Sequence, residues 1–190
     1  MRASLLFFLV VAACITLLAG CSVTTHEKDN GEKHDVDIKT PFGSLSVREG
    51  STDVKDTGLA LYPGARPRKE SGDENHSANV NISSSLFGVK VVALKFESDD
   101  SPDKVLAFYR KEMGKYGKVA DCTGSFSMNF HRHDKDAEVT CDGNESGHDY
   151  KEELKVGTEN NQRILAIKPT SKGSEFALVY VRAWEHKDTM

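Results

Sequence analysis

The chain has 190 residues, 28% of them charged and 38% hydrophobic, with a formal net charge of −4. That length bounds the fold to one ordinary domain with short appendages. Lys and Arg are interspersed with Asp and Glu rather than clustered, which excludes a phosphate-binding basic face and, with it, nucleic acid as a partner.

The first element in chain order is an export signal over residues 1–20. Arg2 supplies a positive start, and Leu5 to Leu18 is apolar except for Thr16. That core fits a signal peptide and is shorter than the roughly 20 residues a membrane span needs. It closes on Leu18-Ala19-Gly20-Cys21, which resembles the lipobox of bacterial lipoproteins. The resemblance implies cleavage before Cys21, transfer of a diacylglyceryl group to its thiol, and acylation of the new amine. Each buried CH₂ contributes about 0.8 kcal/mol, so two or three acyl chains anchor stably where one does not. The covalent lipid on Cys21 is the only cofactor expected. The implied location is the cell envelope, on the periplasmic side of a membrane. Ser22 in place of an aspartate resembles the Gram-negative signal for the outer membrane. Without residues 1–20, whose one charge is Arg2, the chain has 170 residues and a net charge of −5.

In that oxidising compartment the four cysteines sort by position. Cys14 leaves with the signal and Cys21 takes the lipid, so Cys122 and Cys141 remain as an even pair and are expected to form a disulfide. It would close a loop of about 20 residues and contribute roughly 3 kcal/mol in the chain-entropy model.

Residues 21–34 are polar with no apolar period, and read as the lipidated Cys21 and a flexible tether spanning on the order of 20 Å. Over residues 35–57, Val36–Thr40 and Ser44–Val47 alternate around Pro41-Phe42-Gly43, predicting a short hairpin followed by a connection. Residues 58–185 form the expected single α+β domain, and 186–190 a polar tail. Within the domain, Asn79–Ser83 alternates. Gly88–Phe96 is apolar on both faces (Val89, Val91 and Ala93; Val92, Leu94 and Phe96), predicting a central strand covered on both sides. Ser101 and Pro102 then open an amphipathic helix over about 102–116, with Val105, Phe108, Tyr109, Met113 and Tyr116 on its apolar face and Gly117 as a cap. Phe126, Met128 and Phe130 alternate, a charged turn follows over His131–Asp136, and Val139–Cys141 returns. Glu153–Thr158, Arg163–Lys168 and Glu175–Trp184 are three further strands joined by short turns. The predicted class is α+β: a mainly antiparallel sheet with one principal helix packed on it.

Tyr62-Pro63-Gly64-Ala65, the run Phe96–Arg110, Leu154–Thr158 and Ile164–Pro169 together resemble a recurring pattern of uncharacterised envelope lipoproteins, covering most of residues 58–183. That resemblance implies no catalytic residues.

The chain lacks the nucleophile elbow, the H-E-x-x-H zinc motif, paired C-x-x-C, the Walker loop and G-x-G-x-x-G. The one cluster that suggests chemistry is His131-Arg132-His133-Asp134. On a strand both imidazoles face the same way and can share a metal, with Asp134, Asp136 or His148 as a further ligand. Asp99-Asp100 reads as helix-terminus stabilisation rather than a catalytic pair. Tyr62 and Trp184 are core or binding aromatics. The expectation is a membrane-anchored, non-enzymatic binding or structural module whose partner is an envelope protein or other envelope component. The alternatives are a hydrolase-like envelope enzyme and a metal-binding module at His131 and His133.

Overall fold

The computed structural model describes residues 21–27, 34–49, 52–68, 77–123, 136–141 and 150–185. The expected export signal, residues 28–33 of the expected tether, the strand expected over Phe126–Phe130, His131, His133, Asp134, His148 and the expected C-terminal tail lie outside them.

Among the described residues ten strands form one sheet: β1 (Ser22–Glu27), β2 (His34–Thr40), β3 (Gly43–Glu49), β4 (Arg66–Pro67), β5 (Ser77–Ser84), β6 (Phe87–Ser98), β7 (Ala120–Thr123), β8 (Glu152–Thr158), β9 (Asn161–Thr170) and β10 (Gly173–Glu185). The helix α1 (Pro102–Met113) lies between β6 and β7. The spatial order is β1-β2-β3-β5-β6-β10-β9-β8-β7, with β4 paired to β6 beside that path. Every pairing is antiparallel. The mainly antiparallel sheet with one helix is therefore as expected, and β6 is the central strand.

Two expectations are corrected. Ser22–Glu27 is not a tether: each of its six residues pairs with β2, Ser22 opposite Lys39 and Glu27 opposite His34. Nor is the hairpin an appendage ahead of the domain, because β3 pairs with β5 over seven positions and continues the same sheet. The reason is shared. Backbone ladder bonds recruit a strand regardless of side-chain polarity, so an edge strand need not carry an apolar pattern.

The core lies between α1 and one face of β6, β10, β9 and β8. Opposed residues bring Leu94, Leu178, Leu165 and Leu154 into one row, and Phe96, Phe176 and Ile167 into the next. Val105, Leu106, Tyr109 and Met113 of α1 pack onto these rows. Phe176 is fully buried, with ring centroids 5.5 Å from Phe96 and 5.7 Å from Tyr109. Leu106 stands in the core in place of the expected Tyr116, which is exposed. Gly114 starts a 3₁₀ turn over Gly114–Tyr116. Advancing about 120° per residue instead of 100°, that turn carries Tyr116 some 60° off the buried stripe. Its hydroxyl donates to the Gly58 carbonyl instead.

Ser101 is the N-cap and Pro102 the first helical residue, although the serine hydroxyl makes no capping bond. Gly173 opens β10 at φ 136°, where a side chain would collide with the Ser98 carbonyl. The Ser174 hydroxyl donates to the Asp100 carbonyl at 2.9 Å, fixing the start of β10 against the helix entrance.

A 12-residue helix is about 18 Å long and about 10 Å wide, whereas nine strands side by side span roughly 40 Å. One helix cannot cover such a sheet, and α1 packs on β8, β9 and β10. Among the described residues no helix covers the helix-side face of β1, β2, β3 and β5. The expected cover on both sides of β6 is partial: Val92, Leu94 and Phe96 on the helix side are buried, while Val89, Val91 and Ala93 on the other face are half-buried.

Candidate functional site

The open part of the helix-side face is polar because of strand alternation. In β2, β3 and β5 the residues Val36, Ile38, Leu45, Val47, Val80 and Ile82 take one phase, and Asp37, Lys39, Ser46, Arg48, Asn79 and Asn81 take the other. Antiparallel register places the second phase of all strands on one face. Thr24, Asp37, Ser46, Asn81 and Lys90 lie opposite one another in a single row across five strands. Ser22 and Lys39 lie in the row on one side, and Arg48 and Asn79 in the row on the other.

These side chains line a trough of about 730 Å³ together with Asp56. Asp56 is delivered by a 3₁₀ turn at Val54–Thr57. A reciprocal cap holds that turn: the Lys55 N–H donates to Asp53 Oδ1 at 2.9 Å, and the Asp53 N–H donates to Asp56 Oδ2 at 3.1 Å. Arg163 ties it to the sheet, its Nε–H donating to the Thr57 carbonyl at 3.0 Å while its guanidinium stacks on Tyr116 at 3.7 Å. The lining carries Lys39, Arg48 and Lys90 against Asp37 and Asp56, one more cation than anion, beside five neutral hydroxyl or amide groups. Trp184 stands on the same face, half-buried across Gly88, where any side chain would strike its indole.

The other residues singled out from sequence fall elsewhere. Cys122 and Cys141 are disulfide-bonded, with Cα atoms 5.4 Å apart. The bond fastens residues 136–141 to β7, and the Val139 N–H donates to the Gly157 carbonyl at 3.1 Å. Replacing both cysteines by alanine is expected to lower stability by about 3 kcal/mol, read as a shift in urea midpoint. Cys21 is exposed and free. Among the described residues no group of three or more His, Cys, Asp and Glu is placed to hold a metal. None of the described helices is long and apolar enough to cross a membrane.

Tyr62 is a core residue whose hydroxyl donates to Asp100 Oδ2 at 2.9 Å, and its N–H donates to the Tyr109 hydroxyl at 3.2 Å. Lys104 Nζ donates to Asp100 Oδ1 at 2.7 Å, while Arg66 grips Asp99 through two bonds of 2.8 and 3.0 Å. Lys104, then Tyr62, holds the Asp100 carboxyl below its ordinary value of 3.8, and Arg66 does the same for Asp99. These carboxylates are committed to the helix entrance. A depressed carboxylate stabilises the fold above its ordinary pKa, and that contribution is lost as pH falls through the lower folded value. The stability gap between wild type and Asp100→Asn is therefore expected to be open at neutral pH and to close as pH falls below the ordinary carboxylate value and through the lowered folded one; denaturant midpoints at a series of pH values measure it.

Sequence reasoning missed the trough, which exists only once five strands are in register. It also missed a charged layer on the opposite face. Glu153 and Lys155 of β8 are both buried with their charges 3.6 Å apart, and Glu175 of β10 pairs with Arg68 and, at 3.5 Å, with Lys168. No protein-family model, curated protein or solved structure matches the chain.

Proposed function

We propose that the chain is an extracytoplasmic lipoprotein, held in the envelope by acyl chains on Cys21, that binds a hydrophilic envelope component in the β1–β6 trough. The observation that carries this reading is the convergence of ten polar side chains from five strands and a 3₁₀ turn on one concave surface. A mixed set of amides, hydroxyls, three cations and two carboxylates suits a ligand rich in hydroxyl groups with scattered negative charge, such as an envelope glycan. The excess cation in the trough contrasts with the net −5 of the chain without residues 1–20, so a mildly anionic ligand is favoured here over elsewhere on the surface.

The test is titration of the full-length protein and its Arg48→Ala/Asn81→Ala/Lys90→Ala variant with soluble envelope glycan fragments. Removing three polar contacts is expected to weaken binding at least about tenfold, since each charge-assisted bond contributes on the order of 1.5 kcal/mol or more. Equal affinity of the two proteins would remove the trough from the account.

A further inference from the structure

The exposed large apolar side chains of the described residues are unevenly placed. Phe42 is 79% exposed, Leu86 75%, Val23 65% and Phe87 49%. All four lie at one end of the sheet. Phe42 is in the β2–β3 turn and Leu86 in the β5–β6 turn, and the two turns are neighbours because Gly43 pairs with Ser84. Phe87 begins β6 and Val23 is the second residue of β1. Cys21 sits at this same end, since Ser22 immediately after it is already paired with Lys39 at the close of β2. No free residue separates the lipid-bearing position from the ladder. Whatever holds Cys21 at a bilayer surface therefore holds this end of the sheet within a few ångströms of it.

We infer that this end of the sheet is a membrane-seating edge. Phe42, Leu86 and Phe87 enter the interfacial zone of the leaflet that holds the Cys21 acyl chains, and the strands stand away from the bilayer with the trough facing sideways. The inference rests on the lipid-anchor reading. It adds that the anchor is coupled rigidly to the fold and reinforced by apolar contact with lipid. Charges dominate the opposite end, where Arg66, Glu97, Asp99, Asp100 and Lys104 surround the far terminus of β6. That terminus is about 37 Å from Phe87 along the strand, so the two ends report independently.

The test uses full-length, processed protein in phosphatidylethanolamine–phosphatidylglycerol vesicles brominated near the top of the acyl chains. Trp184 is the sole tryptophan. In a Trp184→Phe background, Phe42→Trp and Leu86→Trp are expected to be quenched, and Leu61→Trp at the charged end is expected to stay bright. A second measurement avoids the Trp184 change: Phe42→Ser/Leu86→Ser, confined to exposed turns, is expected to speed transfer of the acylated protein between vesicles by at least about tenfold. If positions 42 and 86 are unquenched and transfer is unchanged while acylated protein floats with the vesicles, seating is overturned and the anchor stands. If the wild-type chain carries no lipid and does not float, the anchor reading falls and seating falls with it.

Discussion

Phe176→Ala is expected to lower stability by about 3–5 kcal/mol and Tm by roughly 10 °C. Phe176 is fully buried in β10 at the centre of the sheet, between the Phe96 ring of β6 and the Tyr109 ring of α1. Neither neighbour can collapse into the vacated space. The backbone of Phe96 is fixed by the β6–β10 ladder, and Tyr109 is held by the N–H of Tyr62 at its hydroxyl. The cost is therefore both the lost transfer energy and most of the cavity term. Phe176→Leu retains most of the volume and is expected to cost less than half as much. Calorimetry of both variants checks the layer assignment: equal, small losses would mean that α1 does not cover β10.

The second large effect concerns the buried charges of β8. Glu153 and Lys155 are two residues apart on one strand, so both point to the face away from α1, and their side chains are only 2–3% exposed. Removing one member unbalances the charge of a poorly solvated layer, and breaking a buried pair costs about 3–5 kcal/mol, whereas replacing both by apolar groups of similar volume is often close to neutral. Lys155→Met is thus expected to be strongly destabilising, and Glu153→Leu/Lys155→Met to lie nearer to wild type than Lys155→Met alone. A double-mutant cycle in urea measures the coupling directly. Additive losses would mean that the two charges are stabilised separately.

Local signals carried much of this architecture. The Ser101-Pro102 opening, the acidic residues before it and the apolar stripe announce α1. The two-sided apolar run at Gly88–Phe96 announces a central strand, and the turn-forming stretches Glu159–Asn161 and Thr170–Ser174 announce the β8–β9–β10 meander, whose turns fall at 159–160 and 171–172. What stayed hidden depends on partners far along the chain. Thr24–Glu27 has no apolar period, and only the β2 backbone makes it a strand. Glu153 and Lys155 alternate with Leu154 and Val156, a pattern that elsewhere marks a water-facing phase, yet here both phases are buried. The trough is the clearest case. Asp37, Ser46, Asn81 and Lys90 are unremarkable outward residues of separate strands until register aligns them. Cys122 and Cys141 were legible because the pair followed from counting and compartment rather than from contacts.

The proposed anchoring, the orientation of the trough and membrane seating all start at Cys21. The most direct measurement is intact and N-terminal peptide mass spectrometry of the protein recovered from the membrane fraction of cells making the full chain. The expected result is a chain beginning at Cys21, carrying a diacylglyceryl group and an amide-linked acyl chain, with Cys21→Ser blocking both the modification and processing at this site. A mature chain that retains residues 1–20, or one that begins at an unmodified Cys21 and stays soluble, would contradict the account.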